Sequence, residues 1–157
     1  MEIPLFLSHL PTYYGLPVPF TQATIDDVPD FRVVDPRKVF RCLNESLCAM
    51  CGNRLEEFCF FIGGPLGKEN RLFMDPWMHE DCARFASKAC PFVSGNKMEY
   101  SGRPVPDQTR VELAVASVRP SVMYLMKAKT AECKPGKMGD SFVIQAGEWV
   151  ELSEIRS

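Results

Sequence analysis

Cys48-Ala-Met-Cys51, taken together with His79-Glu-Asp-Cys82, decides how this chain reads. Two cysteines separated by two residues, then a histidine and a cysteine separated by two residues, supply four donors for one tetrahedral ion. Thiolate and imidazole are the donors zinc prefers in closed structural sites. The set therefore predicts one structural Zn2+ on Cys48, Cys51, His79 and Cys82, with the donor atoms within roughly 4 Å of one another. Gly52 follows the first pair directly and tolerates the positive φ that a sharp return of the chain requires.

The second pair sits at an expected helix start. Asp75 is placed to cap, Pro76 suits the first helical position, and Glu80 and Asp81 suit the positive end of the helix dipole. A helix over 76–89 puts His79 and Cys82 on one face and turns Met78, Cys82, Phe85, Ala86 and Ala89 inward. Pro91 ends it. Between the pairs, Glu57-Phe-Cys-Phe-Phe-Ile62 reads as a strand, Gly63 to Gly67 as a turn, and Arg71 to Met74 as a returning strand. Knuckle, hairpin and helix in that order describe a treble-clef zinc finger. A redox Cys-x-x-Cys pair needs a thioredoxin-like strand–helix context, whereas turn residues follow Cys51.

Outward from this region, residues 1–34 carry many prolines and read as an extended segment laid over the body, with Tyr13, Tyr14 and Phe20 as anchors. His9 reads as a surface residue with nothing nearby to complete a site. Phe31 to Val34 is a short strand, and Asp35-Pro36 opens a helix whose apolar face is Val39, Phe40, Leu43 and Leu47. Cys42 falls off that stripe. Residues 35–93 thus form the zinc-binding treble-clef-like region. Ser94 to Asp107, with two glycines and two prolines, is the best boundary. Beyond it the period becomes two, and residues 108–157 read as an antiparallel β region packed with the rest as one domain. Its strands are expected at Val111–Val115, Val122–Met126, Phe142–Ile144 and Trp149–Leu152, with Ala146-Gly147 as a tight turn. The fold class is α+β: a treble clef joined to a small antiparallel sheet.

A chain of 157 residues, 46% hydrophobic, is long enough to bury a core. It contains no apolar run of membrane-spanning length, and its first residues lack the pattern of a secretory signal. Seven cysteines in that setting suggest a reducing compartment and a metal site rather than a disulfide framework, hence a cytoplasmic location. The formal net charge of −2 argues against non-specific nucleic-acid binding. The densest positive patch is Lys127, Lys129, Lys134 and Lys137, diluted by Glu132.

Taken as a set, several segments resemble a family of small uncharacterised zinc-finger-like proteins of phages, prophages and bacteria. They are Val28-Pro-Asp-Phe-Arg-Val-Val-Asp-Pro-Arg-Lys38, Leu47-Cys-Ala-Met-Cys-Gly52, Phe61-Ile-Gly-Gly-Pro65, Asn70-Arg71 and the His79 to Phe92 segment ending in Cys-Pro-Phe. The resemblance is best over 17–98 and weaker over 110–152, where Gly147-Glu-Trp149 resembles the family's late tryptophan segment. Met50 departs from an aromatic-rich knuckle, and Gly63-Gly64 lengthens the Ile-Gly-Pro segment. The resemblance implies a phage or prophage origin and no particular activity.

Four protein ligands leave zinc no open position for water or substrate. The expected function is therefore a non-enzymatic protein-interaction module, with nucleic-acid binding as the alternative and a nucleic-acid-processing enzyme as a further one. A zinc deaminase needs His-x-Glu before Pro-Cys-x-x-Cys, and here the pairs come in the opposite order. A nuclease of the His-Asn-His type needs further histidines, and only His9 lies outside the zinc set. Asn70, Arg71 and Arg84 are the polar residues singled out for ligand contact. Cys90 stands at the far end of the second helix, too distant from His79 for the same ion. Serine at Cys42, Cys59, Cys90 or Cys133 is therefore expected to leave metal content, measured by elemental analysis, at the wild-type value.

Overall fold

The unbroken apolar run Phe58-Cys-Phe-Phe-Ile62 demands burial on both faces of one strand. The computed structural model, which describes residues 2–89 and 122–155, gives it that environment. This strand, β5 (Phe58–Gly63), pairs antiparallel with β7 (Met123–Lys129), from Phe58 opposite Lys129 to Gly63 opposite Tyr124. β10 (Glu151–Ile155) completes a three-stranded sheet on the other side of β7. On one face Phe60 and Leu125 pack with Ala83 of α3 (Glu80–Ala89). On the other, Cys59, Phe61, Met126 and Ala128 enter the main core with Leu7, Trp77, Phe85 and Ile144.

A second sheet has the order β6–β9–β8, from β6 (Leu72–Phe73), β9 (Ser141–Gln145) and β8 (Lys134–Met138). The expected hairpin between 57–62 and 71–74 does not form. Pro65 at a helical first position starts α2 (Pro65–Asn70), and this helix ends in a left-handed Arg71, φ 51°. The helical turn carries the chain away from β5, so Leu72 and Phe73 pair with Gln145 and Ile144 instead. Ala146 N–H then donates to the Arg71 carbonyl at 2.7 Å. Ala146-Gly147 is likewise not a tight turn between neighbours, because β9 and β10 belong to different sheets. Aromatic contacts join the two sheets. Phe61 and Phe73 stack at 4.5 Å, Trp149 meets both edge-on, and its indole N–H donates to the Lys68 carbonyl at 3.1 Å.

The N-terminal segment is extended only in part. It folds into two hairpins, β1 (Thr12–Tyr13) with β2 (Leu16–Pro17), and β3 (Gln22–Ile25) with β4 (Val28–Val34). Each closes over two residues at positive φ, Tyr14-Gly15 and Asp26-Asp27. The helix after Asp35 forms as expected. In α1 (Pro36–Glu45) Pro36 opens the helix, and the Asp35 carboxylate accepts the Arg37 N–H at 2.9 Å. Its inward face is rotated from the expected one: Val39 and Cys42 are buried, while Phe40 is 53% exposed. The thiol of Cys42 behaves as a small apolar group here.

The second expected helix starts later than 76. Met78 pairs with Phe60 in an isolated bridge, which keeps 76–78 extended, so α3 begins at Glu80 rather than next to Asp75. The Ser94–Asp107 boundary, the strand at Val111–Val115, Cys90 and Pro91 lie outside the described residues. Among the described residues no helix is long and apolar enough to cross a membrane. Met126 sits fully buried in the central strand of the first sheet. Met126→Ala should lower stability by about 2–5 kcal/mol, read from the midpoint of denaturant unfolding.

Candidate metal centre

The first donor pair is held by a loop that hydrogen-bonds to itself. α1 ends at Ser46 in the left-handed region, φ 57°, and Leu47 pairs with Arg54 in an isolated antiparallel bridge. Within this frame Cys48 N–H donates to Asn53 O at 2.8 Å, and Gly52 N–H donates to Cys48 O at 2.9 Å. Gly52 has φ +78°, as its position after the second cysteine predicts. A Cβ there would also lie 2.8 Å from Cδ1 of Phe20, so both conformation and space select glycine.

The second pair is delivered by two consecutive backbone anchors. Ala49 N–H donates to Trp77 O at 2.9 Å, which ties residue 77 to the knuckle. Met78 and Phe60 exchange bonds of 2.9 and 3.0 Å, which ties residue 78 to β5. The Trp77 indole N–H reaches the Cys42 carbonyl at 3.2 Å, fixing the same segment to α1. His79 comes next, at the helix cap, its carbonyl accepting the Ala83 N–H at 2.9 Å, and Cys82 follows within the first turn.

These anchors bring Cys48, Cys51, His79 and Cys82 together, with all four donor atoms within 4.8 Å of one another. The three cysteines are buried and the histidine is half-buried. The cluster is therefore close enough to bind one metal ion. It is wider than the roughly 3.8 Å edge of a tetrahedron with 2.3 Å zinc–sulfur bonds, and an ion at its centre would draw the donors inward.

The histidine is oriented for ligation. Its Nε2–H donates to the Arg54 carbonyl at 2.9 Å, which leaves the Nδ1 lone pair facing the cysteines, 3.3 Å from the Cys51 sulfur. A ligating histidine ordinarily donates its other ring N–H to a carbonyl or carboxylate in this way. Backbone N–H groups of Asn53 and His79 approach Cys51 and Cys48 sulfurs at 3.4 and 3.5 Å. Hydrogen bonds from the Cys51 and Cys82 thiols push Cys48 down to about 3, and the same crowding beside Cys48 and Cys51 pushes Cys82 up. Three thiols this close cannot all ionise without a cation between them.

His9 has a role that the sequence did not suggest. Although exposed, it donates from Nε2 to the Cys51 carbonyl at 2.8 Å, pinning the N-terminal segment to the knuckle. The two residues lie 42 positions apart, and no spacing rule links them. Asn70 and Arg71 end α2, and their carbonyls both accept the Gln145 side-chain amide at 2.9 Å. Arg84 pairs with Glu80 one turn back along α3, at 2.8 Å. None of these three is among the four metal donors.

No family model, curated protein or solved structure matches this chain. Gly52→Ala is expected to destabilise the fold by about 1–3 kcal/mol and to weaken metal binding, read by competition against a chromophoric chelator.

Proposed function

We propose that the cluster is a structural zinc centre and that the protein is a non-enzymatic module binding a protein partner. The observation that carries the zinc assignment is the hydrogen bond from His79 Nε2 to Arg54, which turns Nδ1 toward three cysteine sulfurs. Three thiolates and one imidazole suit zinc better than a hard cation. The centre keeps the knuckle and helix of a treble clef. The partner strand for β5 comes from 123–129 rather than from within the ligand loop. With four protein donors the ion has no coordination position left for a reacting water, which favours a structural role over hydrolysis.

Surface chemistry favours a protein over a nucleic acid. Phe40, 53% exposed, and Phe142 line a shallow apolar groove of about 420 Å³ with Pro36, Arg37 and Arg41. Both arginines are already paired, Arg37 with Asp35 and Arg41 with Glu45. Lys127 and Lys137 lie over the rings of Phe58 and Phe142, at 4.3 and 5.0 Å from the ring centroids. Their charge is partly engaged within the chain, consistent with an overall charge of −2. From the resemblance of its motif set to small phage and prophage proteins, we infer a partner of viral or host origin, met in the cytoplasm. Asn70, Arg71 and Arg84 are the first polar residues to test for contact with it.

The structural role is tested by hydrogen exchange on zinc-loaded, chelated and Cys51→Ala protein. Residues 46–55 and 77–85 should lose protection in both altered samples, while the β5–β7 pair retains more of its own. Chelated protein with full protection would remove the structural reading.

A further inference from the structure

A second pair of cysteines lies outside the metal cluster. Cys59 of β5 is fully buried opposite Ala128, and Cys133 is 7% exposed just after β7. Their sulfurs stand 3.7 Å apart across 74 positions of sequence. The placement of Cys133 is built rather than incidental. A single 3-10 turn, Thr130–Glu132, follows β7 and is pinned to the start of β5. Thr130 N–H and Oγ1–H donate to the Glu57 and Glu56 carbonyls, each at 2.9 Å. Cys133 N–H then returns to the Thr130 carbonyl at 3.2 Å, which points the chain back at Cys59.

We propose that Cys59 and Cys133 form a peroxide-sensitive site that closes to a disulfide, bracing β5 against the β7–β8 connection independently of the metal centre. Cys133 is the attacking sulfur because it is the more accessible of the two. Its sulfur stands against that of Cys59 and lies 3.4 Å from the Lys129 carbonyl, while the Cys59 thiol also reaches the Ala128 carbonyl at 3.7 Å. Gly147 packs so closely on this turn that a Cβ would lie 2.7 Å from that of Glu132, and only glycine lets its N–H approach. The contact with Cys59 lowers the Cys133 thiol to about 7 against the effect of burial, with the Gly147 N–H adding to it, while Cys59 is raised by the same contact.

The chemistry balances with hydrogen peroxide as oxidant. The Cys133 thiolate attacks one peroxide oxygen, the O–O bond breaks, and an S–O bond forms. The departing hydroxide takes up the proton released by Cys133 and leaves as water. The Cys59 sulfur then attacks the Cys133 sulfur, forming S–S and breaking S–O. The released hydroxyl takes the Cys59 proton and leaves as a second water. Two thiols are oxidised by two electrons and one peroxide is reduced. A dithiol reverses the bond by exchange. The approach from 3.7 Å to bonding distance is a side-chain movement of under ~2 Å.

The experiment uses the full chain loaded with zinc. It is treated with increasing hydrogen peroxide, denatured, alkylated and mapped by mass spectrometry. The expected result is one cross-linked peptide pair joining Cys59 to Cys133, 2 Da lighter than the two free peptides, reversed by dithiothreitol. Two of the seven cysteines lose reactivity while zinc content is unchanged. Cys59→Ser should instead drive Cys133 to sulfinic acid, a gain of 32 Da, because no resolving thiol remains. Oxidation of Cys48, Cys51 or Cys82 before Cys133 would overturn the proposal. A cross-link through Cys90, or sulfinic acid at Cys133 in the wild type, would overturn it too. Absence of zinc in the purified protein would sink the metal reading alone and leave the cross-link test intact.

Discussion

The hydrogen bond between Ala49 and the Trp77 carbonyl, with the Phe60–Met78 pair beside it, is the constraint on which the metal centre depends. Cys51 and His79 are 28 positions apart, and an intervening stretch of that length has many ways to miss. Anchoring residues 77 and 78 to the knuckle and to β5 leaves His79 one peptide from a fixed point. The helix cap then fixes Cys82 three residues later. The ring of His79 is finally set by the Arg54 carbonyl, which belongs to the knuckle. The first donor pair thus orients the second, and loss of either would release both.

This arrangement also explains why the centre lies at the margin of the main core rather than apart from it. Cys48, Cys51 and Cys82 share one buried cluster with Phe61, Trp77, Phe85 and Met126. β5 carries apolar side chains on both faces, one toward α3 and the other toward this cluster. A structural zinc supplies on the order of 10 kcal/mol in small fingers, comparable with the whole stability margin of a typical domain. Here the ion would be coupled to a sheet with its own buried contacts. Its removal is expected to loosen the knuckle and the start of α3 before β5 and β7 separate.

Local chemistry was legible in the sequence; strand partnership was not. The four donors, the glycine after Cys51, the Asp35-Pro36 helix start, and the strands near 57–62, 122–126 and 142–144 all follow from residue type and spacing. The hairpin between the ligand pairs does not, because Pro65 has two local meanings. It suits a turn, and it equally suits the first residue of a helix, and α2 takes the second. Nothing local records that β5 would find its partner at 123–129. The start of α3 lies later than the local signals imply for a related reason: the Met78–Phe60 bridge holds back a helix that Asp75-Pro76 alone would begin. Gly139-Asp140, the two-residue loop joining β8 to β9, carries a hairpin dipeptide, whereas the two-residue loops Tyr14-Gly15 and Asp26-Asp27 do not. The bond from His9 to the Cys51 carbonyl lies beyond any sequence rule, since it depends on the N-terminal segment folding back over the knuckle.

In the proposed centre, three cysteine sulfurs and the Nδ1 of His79 hold a single zinc ion. Extended X-ray absorption fine structure at the zinc edge tests it most directly, on protein purified without chelator or added metal. The expected result is a four-coordinate shell with three sulfurs at about 2.3 Å and one imidazole nitrogen at about 2.0–2.1 Å. A shell of four sulfurs would contradict the role of His79. A shell with an oxygen in place of one donor would contradict a closed structural site, and protein without zinc would contradict the assignment of the metal itself.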